Sequence, residues 1–129
     1  MKIAVLIARI LLGLVFLVFG LNNFFHFMPN PPIPGDAGVL ANIMFAHGWL
    51  TFHGILYTIA GILLIIGRYV PVGLVILGPI LVNVLLFHLS LTGGVGIGPG
   101  IVCTLLELFL IYAYWPAFEG IFTPDGRRI

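Results

Sequence analysis

Apolar positions fill four long stretches of the chain, and polar residues gather in the short intervals between them. The first stretch runs from about Ile3 to Phe27, far beyond the roughly 18 apolar residues that mark a membrane-spanning helix. Pro29, Pro31, Pro32 and Pro34 follow; each fixes φ and lacks an N–H, so the MPNPPIPGDAG segment is expected to be a surface loop. From Asp36, a residue type suited to capping a helix, to about Ala46, the positions Val39, Leu40, Ile43 and Met44 have amphipathic spacing. That segment is too short to span and is expected to lie in the membrane interface. A second span is predicted over about 50–66, closed by Gly67 before a turn at Arg68 and Tyr69. Pro71 opens a third over about 71–91, at a position where a missing N–H costs little, and Gly78 with Pro79 is expected to kink it. The turn TGGVGIGPG leads to a fourth span over about 100–115 and then to a polar tail over 119–129. The expected fold is all-α: one domain of residues 1–129, a four-helix transmembrane bundle with a short interfacial helix after the first span.

Composition agrees with that pattern: 61% of the residues are hydrophobic and 7% charged, against roughly 25% charged in soluble domains. A soluble globular enzyme is excluded. The net charge of +1 leaves no basic stripe to neutralise phosphates, so no nucleic-acid partner is expected. Cys103 is the single cysteine, which excludes an internal disulfide, a C-x-x-C pair and a thiolate zinc site. Lys2 precedes an apolar run without an A-x-A-like cleavage site, so the segment reads as a retained span. Lys2, Arg9, Arg68, Arg127 and Arg128 all fall at the N-terminus, in the second loop or in the tail. By the positive-inside rule both termini are expected in the cytoplasm, of a prokaryotic inner membrane.

Polar residues inside the spans are the candidates for chemistry. Glu107, near the middle of span 4, must be protonated, paired or turned to a wet cavity. Arg9 shares a helical face with Gly13, Gly20 and Asn23, and counting depth from the cytoplasmic ends brings it within reach of Glu107, so a buried Arg9–Glu107 ion pair is expected. That pair reads either as a structural clamp or, through Glu107, as a proton or ligand site. His26, His47, His53 and His88 fall toward the outer face together with Asn22 and Asn23. Imidazoles there suit interfacial hydrogen bonding, a quinone carbonyl, haem iron or chlorophyll magnesium, with His26 and His88 as the metal candidates. Asn83, four residues after Pro79, is expected as a buried amide joining spans or lining a pocket beside the kink. Candidate ligand-binding residues are thus Asn23, His26, His53, Asn83, His88 and Glu107. Gly54 and Gly61 repeat the seven-residue spacing of Gly13 and Gly20 and predict close backbone contact between spans 1 and 2. No nucleophile motif or complete catalytic set is present, so no catalysis is assigned to the chain on its own.

The segments ARILLGLVFLVFGLNNFFHF, GRYVPVGLVILGPILVNVLLFH and LLELFLIY, in this order, resemble the DoxX family of small membrane proteins. The resemblance implies a four-helix membrane bundle, with some members linked to quinone-dependent sulfur oxidation or membrane redox assemblies. It falls on Arg9, Gly13, Gly20, Asn23, His26, Asn83, His88 and Glu107 without giving them catalytic roles. Where many relatives carry an acid in the second span, FHGILYTIAG has Tyr57 and Thr58. The expected role is an accessory or assembly subunit of a larger membrane redox or energy-converting complex. The alternative is a subunit that binds quinone or another lipophilic ligand, with haem or chlorophyll ligation a further option. Lipids and other integral membrane proteins are the expected partners.

Overall fold

The computed structural model describes residues 1–26, 33–94, 96–122 and 124. Among them the chain is helical throughout: α1 (Lys2–Phe25), α2 (Gly35–Ala46), α3 (Trp49–Ile66), α4 (Val70–Ser90), α5 (Gly98–Ala113), the short α6 (Trp115–Phe118) and a 3-10 turn, Glu119–Phe122. Three helices, α1, α3 and α4, are long and apolar enough to cross a membrane. A fourth crossing results if α5 and the following segment, bent by 86° between them, count as one broken span.

Each boundary has a local cause. α1 stops at His26, whose φ of 52° is left-handed and whose N–H bonds the Asn22 carbonyl at 2.8 Å, so the helix is closed before the prolines are reached. Most of the proline loop lies outside the described residues, but its last part, from Gly35, is already helix. Pro34 is the N-cap of α2, and Asp36 sits in the first turn rather than capping it. The α3–α4 hairpin is closed by two left-handed residues, Gly67 and Tyr69, with the Gly67 N–H on the Leu63 carbonyl at 3.0 Å. α5 begins at Gly98, two residues earlier than the pattern predicts. The 119–129 tail is not wholly extended polar chain, because its first four residues fold into the 3-10 turn and Trp115 stacks on Phe122 with centroids 5.3 Å apart.

Helices α1, α3, α4 and α5 pack in a closed order, each against the next, with α5 returning to α1. Leu12 of α1, Leu64 of α3, Leu74 and Leu77 of α4 and Leu110 of α5 fill the interior. The most extensive of these contacts joins α1 to α3. A Cβ on Gly13 would lie 2.9 Å from the Gly61 carbonyl oxygen, and one on Gly20 would lie 2.9 Å from that of Gly54. Two glycines seven apart on each antiparallel helix therefore meet in register, and the backbones touch because no side chain stands between them. In lipid, where apolar burial gives no advantage between helices, such packing is a main source of association. Asn23 adds a hydrogen bond from Nδ2 to the Leu50 carbonyl at 2.9 Å, at the far end of the same seam; bonds of this kind contribute about 0.6 kcal/mol in membranes.

α2, the segment expected to lie in the membrane interface, contacts α3. Only Ala37 and Gly38 are buried, whereas Val39, Leu40, Ile43 and Phe45 are all exposed. Gly38 is held against the Ile33 carbonyl.

Substituting Gly61→Ala puts a methyl 2.7 Å from the Gly13 carbonyl oxygen, whereas Gly98 has open space around it. Gly61→Ala is expected to destabilise the helix packing by about 1–3 kcal/mol, the range for overpacked sites, and Gly98→Ala to leave it within about 0.5 kcal/mol. Thermal unfolding of the two variants in detergent checks the contrast.

Candidate functional site

Glu107 is the buried acid of the described chain, with 3% of its surface exposed. It falls on the inward stripe of α5 with Gly100, Cys103 and Leu110, a spacing of three and four residues that puts all four on one face. Gly100 packs against Val84 and Leu85, and the Glu107 carboxyl lies opposite Gly78, whose added Cβ would be 3.6 Å from Oε2. Neither carboxyl oxygen has a hydrogen-bond partner. The side chain thus points into the bundle at the level of Pro79 with both oxygens unsatisfied, an arrangement expensive in a membrane unless a ligand, proton or water completes it.

The expected Arg9–Glu107 pair is not formed. Arg9 lies instead against the C-terminus of α3, where a Cβ on Gly67 would sit 2.9 Å from Cζ and Nη1, and its Nε is buried without a partner. Depth counted from the helix ends makes the two residues near neighbours, but the packing separates them. Arg9 lies at the level of the α3–α4 turn and lines a groove with Tyr112, five residues, or about 7.5 Å of helix, beyond Glu107. Its guanidinium turns to the carbonyl end of a helix, a favourable place for a cation.

Asn83 is also placed differently from expectation. The inward face of α4 is the apolar stripe Gly73, Leu74, Leu77, Ile80 and Leu81, and Asn83 falls off it on the exposed face with Val75 and Pro79. α4 continues from Val70 to Ser90 through Pro79. Because proline has no N–H, the Val75 carbonyl loses its helical partner on this same outer face. The outer surface of α4 therefore carries two polar groups, an amide and a freed carbonyl, amid apolar residues.

The histidines do not assemble. His26 lies edge-on to Phe45 with centroids 5.4 Å apart, His53 stacks near Tyr57 at 6.2 Å, and His88 Nδ1 donates to the Val84 carbonyl at 2.8 Å. A carbonyl only accepts, so in neutral His88 the lone pair is on Nε2, the side near Gly96. Among the described residues no group of three His, Cys, Asp or Glu side chains is arranged to hold a metal. Asn23 is engaged in the α1–α3 seam through Leu50. Thr58, absent from the sequence reading as a seam residue, packs at Gly20 and bonds the Gly54 carbonyl at 2.7 Å. The signal was its i+4 spacing from Gly54.

Long apolar helices around a buried, unsatisfied carboxyl define a small helical integral membrane protein. Within that class, the family model described as DoxX matches residues 4–90, more than half of the chain, and the protein belongs to the DoxX family. The matched segment covers α1 through α4; α5, with Cys103 and Glu107, lies beyond it. No curated protein and no solved structure matches the chain.

Because Arg9 and Glu107 occupy separate surroundings, Arg9→Leu and Glu107→Gln are expected to change stability additively, within about 0.5 kcal/mol. A double-mutant cycle by thermal unfolding in detergent checks this, and a coupling above about 1 kcal/mol contradicts it.

Proposed function

We propose that the protein is a four-helix transmembrane bundle that serves as an accessory or assembly subunit of a larger membrane redox or energy-converting complex. Its membrane is the inner membrane of a prokaryote, with both termini in the cytoplasm. The observation that carries the proposal is the outer face of α4. Asn83 is exposed there, about two turns from the end of the helix, on the same face as Pro79 and Val75. An amide and a carbonyl deprived of its usual helical donor are costly facing hydrocarbon, and a polar or small-residue helix of another membrane protein satisfies both. Lys2, Arg9 and Arg68 support the orientation, since all three belong to the end of the bundle where α1 starts and α3 turns into α4.

A second reading is favoured by Glu107. Its two unpartnered oxygens suit a lipophilic ligand with a hydrogen-bonding group, such as a quinone, which makes the chain a ligand-binding redox subunit. Haem or chlorophyll ligation through His26 or His88 has less support, because the rings have separate neighbours.

Isolation from native membranes in mild detergent separates the readings when partner proteins, absorbance spectra and extracted lipids are analysed on one sample. The accessory role predicts a stoichiometric membrane-protein partner, and Asn83→Leu is expected to weaken that association about threefold to tenfold. A chain that purifies alone or only with its own copies, carrying stoichiometric quinone, contradicts the accessory role and supports the second reading.

A further inference from the structure

At the basic end of the bundle, the start of α1 and the end of α5 border an open groove of about 690 Å³, lined by Met1, Lys2, Val5, Leu6, Arg9, Tyr112 and Ala113. Lys2, Val5, Leu6 and Arg9 recur at the spacing of one helical face, so the α1 side of the groove carries a cation at each end and apolar residues between. Lys2 and the heavily exposed Tyr112 stand at the rim, while Arg9, two turns inward, is half-buried. No described carboxylate lines the groove: Glu107 lies deeper against Gly78, Asp36 belongs to α2, which packs on α3, and Glu119, in the 3-10 turn after α6, has an interaction of its own and is not part of the lining. The buried Arg9 Nε has no acceptor within the described chain. Lys2 and Arg9, whose guanidinium also rests against Gly67, thus border an apolar groove with no described anion beside them, a setting suited to an anion that brings its own apolar tail.

We propose that this groove binds an anionic phospholipid, its phosphate held between Lys2 and Arg9 with help from the Tyr112 hydroxyl, and an acyl chain laid along Val5 and Leu6. Basic pockets between membrane helices recognise lipid headgroups in this way, and each cation near the surface contributes on the order of 1 kcal/mol, about a fivefold change in affinity. Arg68 belongs to the same end but does not line the groove, so it separates a built site from general surface charge.

The test titrates the full-length protein in neutral detergent with phosphatidylglycerol, phosphatidylcholine or inorganic phosphate, following bound lipid by native mass spectrometry and Tm. Phosphatidylglycerol is expected to bind at least fivefold tighter than phosphatidylcholine and to raise Tm, with inorganic phosphate doing neither at matched concentration. Arg9→Gln and Lys2→Gln are each expected to weaken phosphatidylglycerol about fivefold, with Arg9→Lys and Arg68→Gln staying within about twofold of the unaltered protein. Lys2 is exposed, so Lys2→Gln keeps the test decisive even where Arg9→Gln disturbs folding. Equal binding of the two lipids overturns the proposal. So does equal loss in Arg68→Gln, which means diffuse surface charge, or occupancy by inorganic phosphate alone, which means a free-anion site.

Discussion

Backbone contact between α1 and α3 sets the arrangement on which the other features depend. Gly13 meets Gly61 and Gly20 meets Gly54, each close enough that a single added methyl would collide with a carbonyl. The contact fixes the two helices antiparallel and in one register, which brings Arg9 to Gly67 and Asn23 to Leu50. Thr58 bonds within its own helix and packs at Gly20, so it fills the seam without demanding a partner from α1. α4 and α5 then close the packing, their inward stripes meeting where Gly100 faces Val84 and Glu107 faces Gly78.

With the seam satisfied from within, the polar groups that remain unsatisfied lie elsewhere, and each faces a different surrounding. Glu107 points into the interior, Arg9 borders a groove at the basic end with its guanidinium against Gly67, and Asn83 lies on the outer face of α4. In a membrane such groups mark places where something else completes the structure, because the solvent cannot. A ligand or proton, a lipid phosphate and a partner helix are the counterparts proposed for these three surroundings in turn. Membership of the DoxX family fits a small membrane protein.

Much of this was legible in the sequence where one periodicity decided the outcome. Paired glycines seven apart on two spans have few uses other than backbone contact, and helix ends at Gly67 and around Pro71 follow from local stereochemistry. The end of α1 was not legible, because a left-handed histidine is a stop only tertiary context selects, and the prolines that follow offered a more obvious one. Arg9 and Glu107 misled for a different reason. Axial depth says nothing about the direction a long side chain takes, and the α3 C-terminus drew the guanidinium away. Sequence alone favours a buried Asn83 because polar residues in spans usually are. Position relative to the Gly73–Leu74–Leu77–Leu81 stripe determines the matter, and that stripe turns Asn83 and Pro79 outward together.

Cross-linking in native membranes tests the α1–α3 register most directly, using paired cysteines in a Cys103→Ala background and a short thiol-reactive linker. Phe16 and Tyr57 lie edge to face with ring centroids 5.2 Å apart, so Phe16→Cys with Tyr57→Cys is expected to cross-link efficiently. Phe16→Cys with Leu50→Cys, displaced by two turns or about 10 Å along α3, is expected to remain uncross-linked. Efficient linkage of the displaced pair, or failure of the first, contradicts the glycine-lined seam and the placement of every polar group that follows from it.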